Sequence, residues 1–233
     1  MGLTLSQQNQ LRKRAAKEAA SAAPAALMEG LNQYELMLAK LQQDQLRLRQ
    51  IQSIQSKCLL KAQLIGEYKP YIDGVLASGR GAQDDVVTTI MLWRFDAGDW
   101  EAGLDVAAYV LEHGLKMANR FDRTSGCLIA EKIAENALKA QKADKPFPIE
   151  TLLRTAELTK DQDMPDEVSA KLKLALARAT LQGLDPRNPG QPGQLQRGID
   201  LLKRAIEQDA HCGGKKELES AERLLKKLAG PAS

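Results

Sequence analysis

The sequence is poor in aromatic residues and in cysteine, and it contains no long hydrophobic run. Phe, Trp and Tyr make up 4% of the 233 residues, and no apolar stretch approaches the ~20 residues of a membrane-spanning helix. The basic N-terminus is not followed by an apolar segment, so we expect no secretory signal. The three cysteines are odd in number and far apart, which is typical of reduced thiols. We therefore expect a cytoplasmic protein with no membrane partner.

The usual motifs of catalysis and of cofactor binding are also missing from the sequence. No GxxxxGK[ST] segment is present, so the backbone cradle and the lysine of a P-loop ATPase are lacking. His211 adjoins Cys212 but has no second ligand pair for zinc, and His113 lies at a predicted helix end. We predict no cofactor, no metal site and no catalytic residue.

The abundant residues are Ala, Leu, Lys, Glu, Gln and Arg, which are the best helix formers. This composition predicts an all-α protein. We divide the chain into a basic flexible arm over residues 1–30, a long pairing helix over 31–66, a central helical domain over 67–145 and a C-terminal helical region over 146–230. In the last region, amphipathic segments at 168–181, 195–208 and 217–229 weakly resemble tetratricopeptide helix pairs.

The segment from residue 31 to residue 65 contains neither Pro nor Gly. Its apolar residues recur at three- and four-residue steps, which predicts a coiled-coil-like helix that pairs with another helix. We expect Gly66 to end this helix and Pro70 to open the next one. A narrow apolar stripe on a polar rod also predicts a homo-oligomer.

Charge is distributed unevenly along the chain. Residues 1–61 carry nine Lys or Arg against four acids, whereas residues 62–140 carry eight against twelve. A basic first part indicates a polyanionic partner such as DNA, gripped through its phosphates without sequence readout. The predicted DNA-binding residues are Arg12, Lys13, Arg14, Lys17, Arg47, Arg49, Lys57 and Lys61. Surface or ion-paired roles are favoured for the further candidates Arg80, Arg94, Arg120 and Arg123.

Four aspartates, Asp84, Asp85, Asp96 and Asp99, lie near both tryptophans within residues 79–105. Convergent carboxylates could hold the two cations of a nuclease. However, neighbouring residues on one helix point about 100° apart, and Asp is an ordinary residue in turns and at helix N-termini. We favour caps and solvated faces, with Asp99 as the cap of a helix over residues 100–113.

Three segments resemble the small subunit of phage terminases, the gpM-type family of temperate tailed phages with cohesive-end genomes. They are YELMLAKLQQDQLRLRQIQS (34–53), YKPYIDGVLASGRGAQDDVVTTIMLWRFDAGDWEAGLDVAAYVLEHGL (68–115) and NRFDRTSGCLIAEKIAENAL (119–138). The resemblance implies binding to the packaging site of concatemeric double-stranded phage DNA in the host cytoplasm. It also implies assembly as an oligomer and recruitment of a large subunit that carries the ATPase and the nuclease.

Two alternatives remain beside this DNA-binding adaptor. Members of the family are often labelled endonuclease subunits, so one alternative is a metal-dependent endonuclease that uses the four aspartates. The other is a non-enzymatic scaffold whose C-terminal helices bind the large subunit or the portal, with incidental DNA contact.

Overall fold

The computed structural model describes residues 4–21, 32–117 and 123–229. Every regular element in these ranges is a helix, which confirms the all-α prediction. The helices are α1 (Leu5–Ser21), α2 (Asn32–Gln50), α3 (Ile54–Ser78), α4 (Asp85–Ala97), α5 (Trp100–Glu112), α6 (Ser125–Lys142), α7 (Ile149–Leu158), α8 (Asp166–Leu181), α9 (Gln194–Gln208) and α10 (Lys215–Leu228). None of the described helices is long and apolar enough to cross a bilayer.

The chain forms two compact units, Met1–Ser125 and Gly126–Ser233. The boundary therefore differs from the expected one near residue 145, because α6 belongs with the helices that follow it. In the first unit, α4 is the central helix, and its residues from Val86 to Phe95 are all buried. A helix that is apolar on every side has to be surrounded by others, and α2, α3 and α5 all contact α4.

The continuous helix expected over residues 31–66 is interrupted at residues 51–53. Helix α3 begins after Ser53, whose side chain accepts a hydrogen bond from the backbone N–H of Ser56 at 3.2 Å. Helix α2 then packs against α1, α3 and α4, which buries Leu41 and Leu48. Part of the apolar stripe that predicted pairing with another chain is therefore covered by helices of the same chain.

Helix α3 continues through both residues that were expected to mark its ends. Gly66 and Pro70 lie inside it, and it stops only at Gly79, which has a φ of 61°. Pro70 removes one backbone donor and its ring crowds the carbonyl of Gly66, four residues earlier. The helix persists because its second half supplies the core residues Tyr68, Tyr71 and Ile72, whose packing outweighs the local cost.

Helix α1, which lies within the expected flexible arm, packs along α3. Leu11 and Ala15 are buried in this contact, among the side chains of α1 that the structure describes. The contact is close because α3 carries a glycine there: a Cβ added to Gly74 would lie 2.5 Å from the Arg12 carbonyl oxygen and 2.8 Å from the Ala15 Cβ. The stretch with Pro24, which was expected to interrupt the helix, lies outside the described residues.

The second unit contains α6 to α10, with α8 packed on both α7 and α9, and α9 packed on α10. The three helices predicted in this part begin and end within two residues of α8, α9 and α10, whereas α7 was not predicted. Buried Leu174, Ala177, Leu202 and Ala205 form the centre of the α8–α9 pair. The small residues allow these helices to approach closely.

Candidate nucleic-acid interface

Helix α1 presents four cationic side chains to solvent. Arg12, Lys13, Arg14 and Lys17 are all exposed. At 100° per residue, Lys13 and Lys17 share the side opposite the buried Leu11 and Ala15, and the two arginines flank this side. Within the described ranges, none of the four is joined to an acid by an ion pair. The helix is therefore held by a small apolar face and leaves its positive charge uncompensated.

The four other predicted DNA-binding residues have different surroundings. Lys61 forms an ion pair with Asp96 at 2.5 Å, with both side chains mostly buried, and Arg47 binds Asp44 at 2.8 Å. Arg49 is exposed and Lys57 is half-buried; the described part of the chain provides no ion pair for either. Arg47 and Lys61 are thus each paired with an acid of the same chain.

The predicted residue Lys57 lies far along α3 from the point where Arg12 contacts this helix. The carbonyl of Arg12 lies beside Gly74, which is separated from Lys57 by about 26 Å along α3 at 1.5 Å per residue. This is less than one turn of B-DNA, about 34 Å. One duplex could therefore reach both ends of α3, but the α1 cations and the Lys57 region would contact different phosphates.

Asp84 is a buried helix cap. Its carboxylate accepts hydrogen bonds from the backbone N–H groups of Val86 and Val87 at 2.8 and 3.0 Å, and from the Tyr71 hydroxyl at 2.6 Å. Burial raises the pKa of Asp84 to about 6, although the three hydrogen bonds oppose this shift and the nearby Asp85 adds to it. The carboxylate is engaged at the start of α4.

Two further tyrosines surround this cap. The Tyr109 hydroxyl accepts a hydrogen bond from the Gly81 N–H at 2.9 Å. Tyr34 is close enough that burial, with the charges of Asp84 and Asp85, raises its pKa to about 12. Gly81 has a φ of 65° and lies against the His113 ring, where a Cβ has no room. The glycine-rich segment 79–81 is thus a turn that brings α3, α4 and α5 together around Asp84.

A second acidic centre, Asp44, was not identified from the sequence. Asp44 is 3% exposed and accepts hydrogen bonds from Lys40 at 2.6 Å, Arg47 at 2.8 Å and the Tyr68 hydroxyl at 2.8 Å. Burial alone would raise the pKa of Asp44, but these donors together lower it below its ordinary value. The spacing Lys40–Asp44–Arg47 on one helix face was a visible signal for such a network.

The remaining aspartates are also engaged. Asp96 pairs with Lys61, and Asp99 pairs with Arg94, whose residue is 6% exposed. Asp99 occupies the N-cap position of α5 but makes no side-chain capping hydrogen bond, so the expected capping role is wrong for Asp99 and applies to Asp84. Across the described residues, no group of three His, Cys, Asp or Glu side chains is arranged to hold a metal ion.

Comparison with known proteins identifies the family. The family model for the phage small terminase subunit matches residues 38–167, more than half of the chain. A relative from Escherichia phage P2, named "Terminase, endonuclease subunit", is 39% identical over 198 residues, which cover 85% of this chain and 76% of the relative. The chain belongs to the phage small terminase subunit family. No solved structure matches it.

Within this member of the small terminase subunit family, the matched range and the candidate interface only partly coincide. Residues 38–167 contain both buried acids, Asp44 and Asp84, and the ion pairs of α3 and α4. The cations of α1 precede this range. The part that matches the family model is therefore the helical core of the first unit and the start of the second, whereas the four exposed cations of α1 lie on a helix that precedes the matched range.

The four further arginine candidates in this small terminase subunit have separate environments. Arg94 is buried and ion-paired, so its charge supports the α4–α5 connection. Arg80 and Arg123 are exposed, and Arg120 lies outside the described residues. Sequence patterning could not separate these cases, because the identity of an arginine does not reveal whether an acid faces it.

Proposed function

We propose that this small terminase subunit binds the packaging site of concatemeric double-stranded phage DNA and recruits the large subunit, which holds the ATPase and the nuclease. The observation that carries the DNA-binding part is the cationic side of α1. Four positive side chains are exposed on a helix whose opposite face is docked on the core. Such side chains displace the counterions that are bound to DNA phosphates. The release of these ions provides affinity without base contacts.

Arg49 and Lys57 are proposed as additional phosphate contacts, because both lack an ion pair within the described ranges. Arg47 and Lys61 remain predicted contacts, but we expect smaller contributions from them, since a phosphate would compete with Asp44 and Asp96. Site recognition requires contacts to base edges or to DNA shape in addition to these phosphate contacts.

The test is a binding titration of the full chain against a duplex with the phage packaging site and against an unrelated duplex of equal length. We expect the logarithm of the association constant to fall linearly with the logarithm of salt concentration, by about 0.9 for each phosphate neutralised. The packaging-site duplex should bind more tightly at every salt concentration. Binding that does not depend on salt would contradict the role of the α1 cations.

We also propose that the protein works as a homo-oligomer. Several large apolar side chains of the first unit are exposed: Leu36 and Leu46 on α2, and Ile54 and Leu59 on α3. Single exposed leucines are ordinary, but four in two consecutive helices indicate a surface for another copy. Replacing these four residues by Gln should lower the mass measured by light scattering. An unchanged mass would remove this surface from the proposal.

An endonuclease is the second candidate, because the phage P2 relative carries that name. Against it, Asp84 caps α4, and Asp96 and Asp99 are paired with Lys61 and Arg94. The candidate is tested by incubating the purified chain with packaging-site DNA and magnesium. DNA cleavage that disappears in the triple variant Asp85→Asn, Asp96→Asn, Asp99→Asn would support it, provided that circular dichroism shows an intact helical fold.

A further inference from the structure

The second unit contains a groove that the proposed DNA contacts do not use. It has a volume of about 930 Å³ and is lined by residues of α6, α8, α9 and α10. We call it the α6–α10 groove. Its apolar lining includes six leucines, namely Leu138, Leu174, Leu181, Leu184, Leu195 and Leu224.

This apolar lining joins two separate core clusters. Leu181 packs against the cluster around Leu202 and also against the cluster around Leu195. Leu138, Leu181 and Leu224 are only partly buried, so the groove offers leucine surface that the described residues leave accessible. A concave apolar surface of this kind suits the apolar side of a helix or an extended segment.

The edge of the groove is predominantly positive. Lys142, Lys145 and Lys216 are exposed there, and Asp144 is the acid beside them. The remaining charged pair at this edge neutralises itself, because Arg178 binds Glu217 through two nitrogens at 2.6 and 3.1 Å. A partner segment that places leucines in the groove would therefore be favoured if it carried acidic residues along its sides.

A nucleic acid fits this groove less well than a protein segment does. None of the described residues that line it is aromatic, so bases have no stacking platform there, and a phosphate backbone would not cover six leucines. We propose that the α6–α10 groove binds an acidic, leucine-bearing segment of a protein partner. The inference rests on the proposed function in one respect, namely that this partner is the large terminase subunit.

The direct test uses the full chain and a fluorescent helical peptide about five turns long, with Leu at i, i+3, i+4 and i+7, Glu at the positions that flank this apolar side, and Ala elsewhere to keep the peptide helical. We expect saturable binding in fluorescence anisotropy. The groove variant Lys142→Glu, Lys145→Glu, Lys216→Glu should bind it about tenfold more weakly. The control variant Arg187→Glu, Arg197→Glu, Lys227→Glu has the same change in net charge at exposed positions outside the groove, and its affinity should stay within about twofold.

The contribution of apolar contacts to binding is tested with a peptide in which Gln replaces every Leu. This peptide should also bind about tenfold more weakly than the Leu peptide. The inference is overturned if the native chain does not bind the acidic peptide, or if both triple variants lose affinity equally. It is also overturned if the groove variant changes the mass of the protein alone, since the groove would then be a contact between copies.

The purified large subunit separates this inference from the proposed function. We expect the native chain to bind the large subunit and the groove variant to bind it at least tenfold more weakly. The control variant, which has the same change in net charge, should bind the large subunit as the native chain does, and the two variants should bind DNA with equal affinity. Equal binding of the large subunit by the native chain and the groove variant would overturn the groove as its docking site. If the native chain binds the acidic peptide but not the large subunit, the recruitment step of the proposed function fails while the groove chemistry stands.

Discussion

Helices α1 and α4 carry opposite charge and use it in opposite ways. The cations of α1 point into solvent, and no acid pairs with them among the described residues. At each end of α4, one charged residue is buried and has a partner inside the protein: Asp84 caps the helix and Arg94 binds Asp99. In this molecule, charge that has an internal partner maintains the fold, and charge without one is available for an external partner.

The same comparison explains why a cluster of acids in the sequence is poor evidence for a metal site. Asp84, Asp96 and Asp99 lie close together in the sequence, but each meets a different donor in space. The basic residues divide in the same way, since Lys61 and Arg47 bind acids, whereas the α1 cations do not. The comparison can be tested by removing charges of each class and measuring DNA binding and stability separately.

The largest effect is expected from replacing Arg12, Lys13, Arg14 and Lys17 together by Ala. DNA affinity should fall on the order of a thousandfold, equivalent to about 4 kcal/mol, and the salt slope should decrease by about three to four. The stability of the fold should change little, because these side chains are exposed. Binding titrations at several salt concentrations measure both quantities.

The matched control for this prediction replaces four exposed cations of the second unit: Lys160, Arg187, Arg197 and Lys227. The same loss of charge there should reduce DNA affinity by less than about tenfold, since it acts only through the long-range field. If the control lowers affinity as much as the α1 variant does, net charge rather than the position of α1 determines binding.

The next effect is expected from Asp84→Ala, which should lower the free energy of unfolding by about 3 kcal/mol. The substitution removes an N-cap, worth about 1 kcal/mol, and leaves the buried Tyr71 hydroxyl without this acceptor, which costs about 1–3 kcal/mol. Urea denaturation followed by circular dichroism measures the loss. Asp85→Ala is the control, since Asp85 is partly exposed in the first turn of α4, and it should cost less than about 1 kcal/mol.

The helix boundaries show how far the sequence could predict the structure. Helices α8, α9 and α10 were predicted almost to the residue, because Gly and Pro fill the loop between α8 and α9, and each helix has a clear apolar face. The break at residues 51–53 has no Gly or Pro, and its local signal is Ser53, an ordinary N-cap residue. The uninterrupted recurrence of apolar residues on both sides of Ser53 favoured one continuous helix, so the break was missed.

The candidate site shows the same limit. The exposed cations of α1 were identifiable because few apolar residues surround them in the sequence. The pairing of Lys61 with Asp96 joins residues 35 positions apart, and the docking of α1 depends on one glycine in α3. Neither could be derived from spacing, since both result from how α3 packs in three dimensions.

A smaller effect is expected from Gly74→Ala. The added Cβ would meet the Arg12 carbonyl oxygen and Ala15, so α1 has to move away from α3, at a cost of about 2 kcal/mol. Gly66→Ala is the control on the same helix, because a Cβ there meets nothing within 4 Å, and it should stabilise the protein by up to about 1 kcal/mol. Urea denaturation compares the two variants.

DNA binding by the Gly74→Ala variant tests whether α1 has to be docked on α3 in order to bind phosphates. If α1 grips phosphates only as a docked helix, the variant should bind DNA about tenfold more weakly, because the cations are no longer held in one arrangement. If its affinity equals that of the native chain, α1 contributes its charge without needing the contact with α3, and the flexible arm expected from the sequence is the better description.

A further effect is expected in the pH dependence of stability. The pKa of Asp84 is raised from 3.8 to about 6, so its contribution is fully present below about pH 4 and is lost as the pH rises through about 6. One unit of such a shift corresponds to about 1.4 kcal/mol. The lowered pKa of Asp44 has the opposite sign: its contribution is present above pH 4 and is lost as the pH falls below that value.

The two contributions are separated by Asp84→Asn, which keeps an oxygen for the cap but cannot ionise. We expect the variant to match the native protein near pH 4 and to exceed it by at least about 1.4 kcal/mol at pH 7, because only the native carboxylate is then charged and buried. Urea midpoints between pH 4 and pH 7 measure this difference. If the stability of the native protein changes with pH as little as that of the variant, the Tyr71 hydroxyl and the two backbone N–H groups fully offset the burial of the charge. Asp84 would then be closer to Asp44, whose hydrogen-bond donors outweigh its burial.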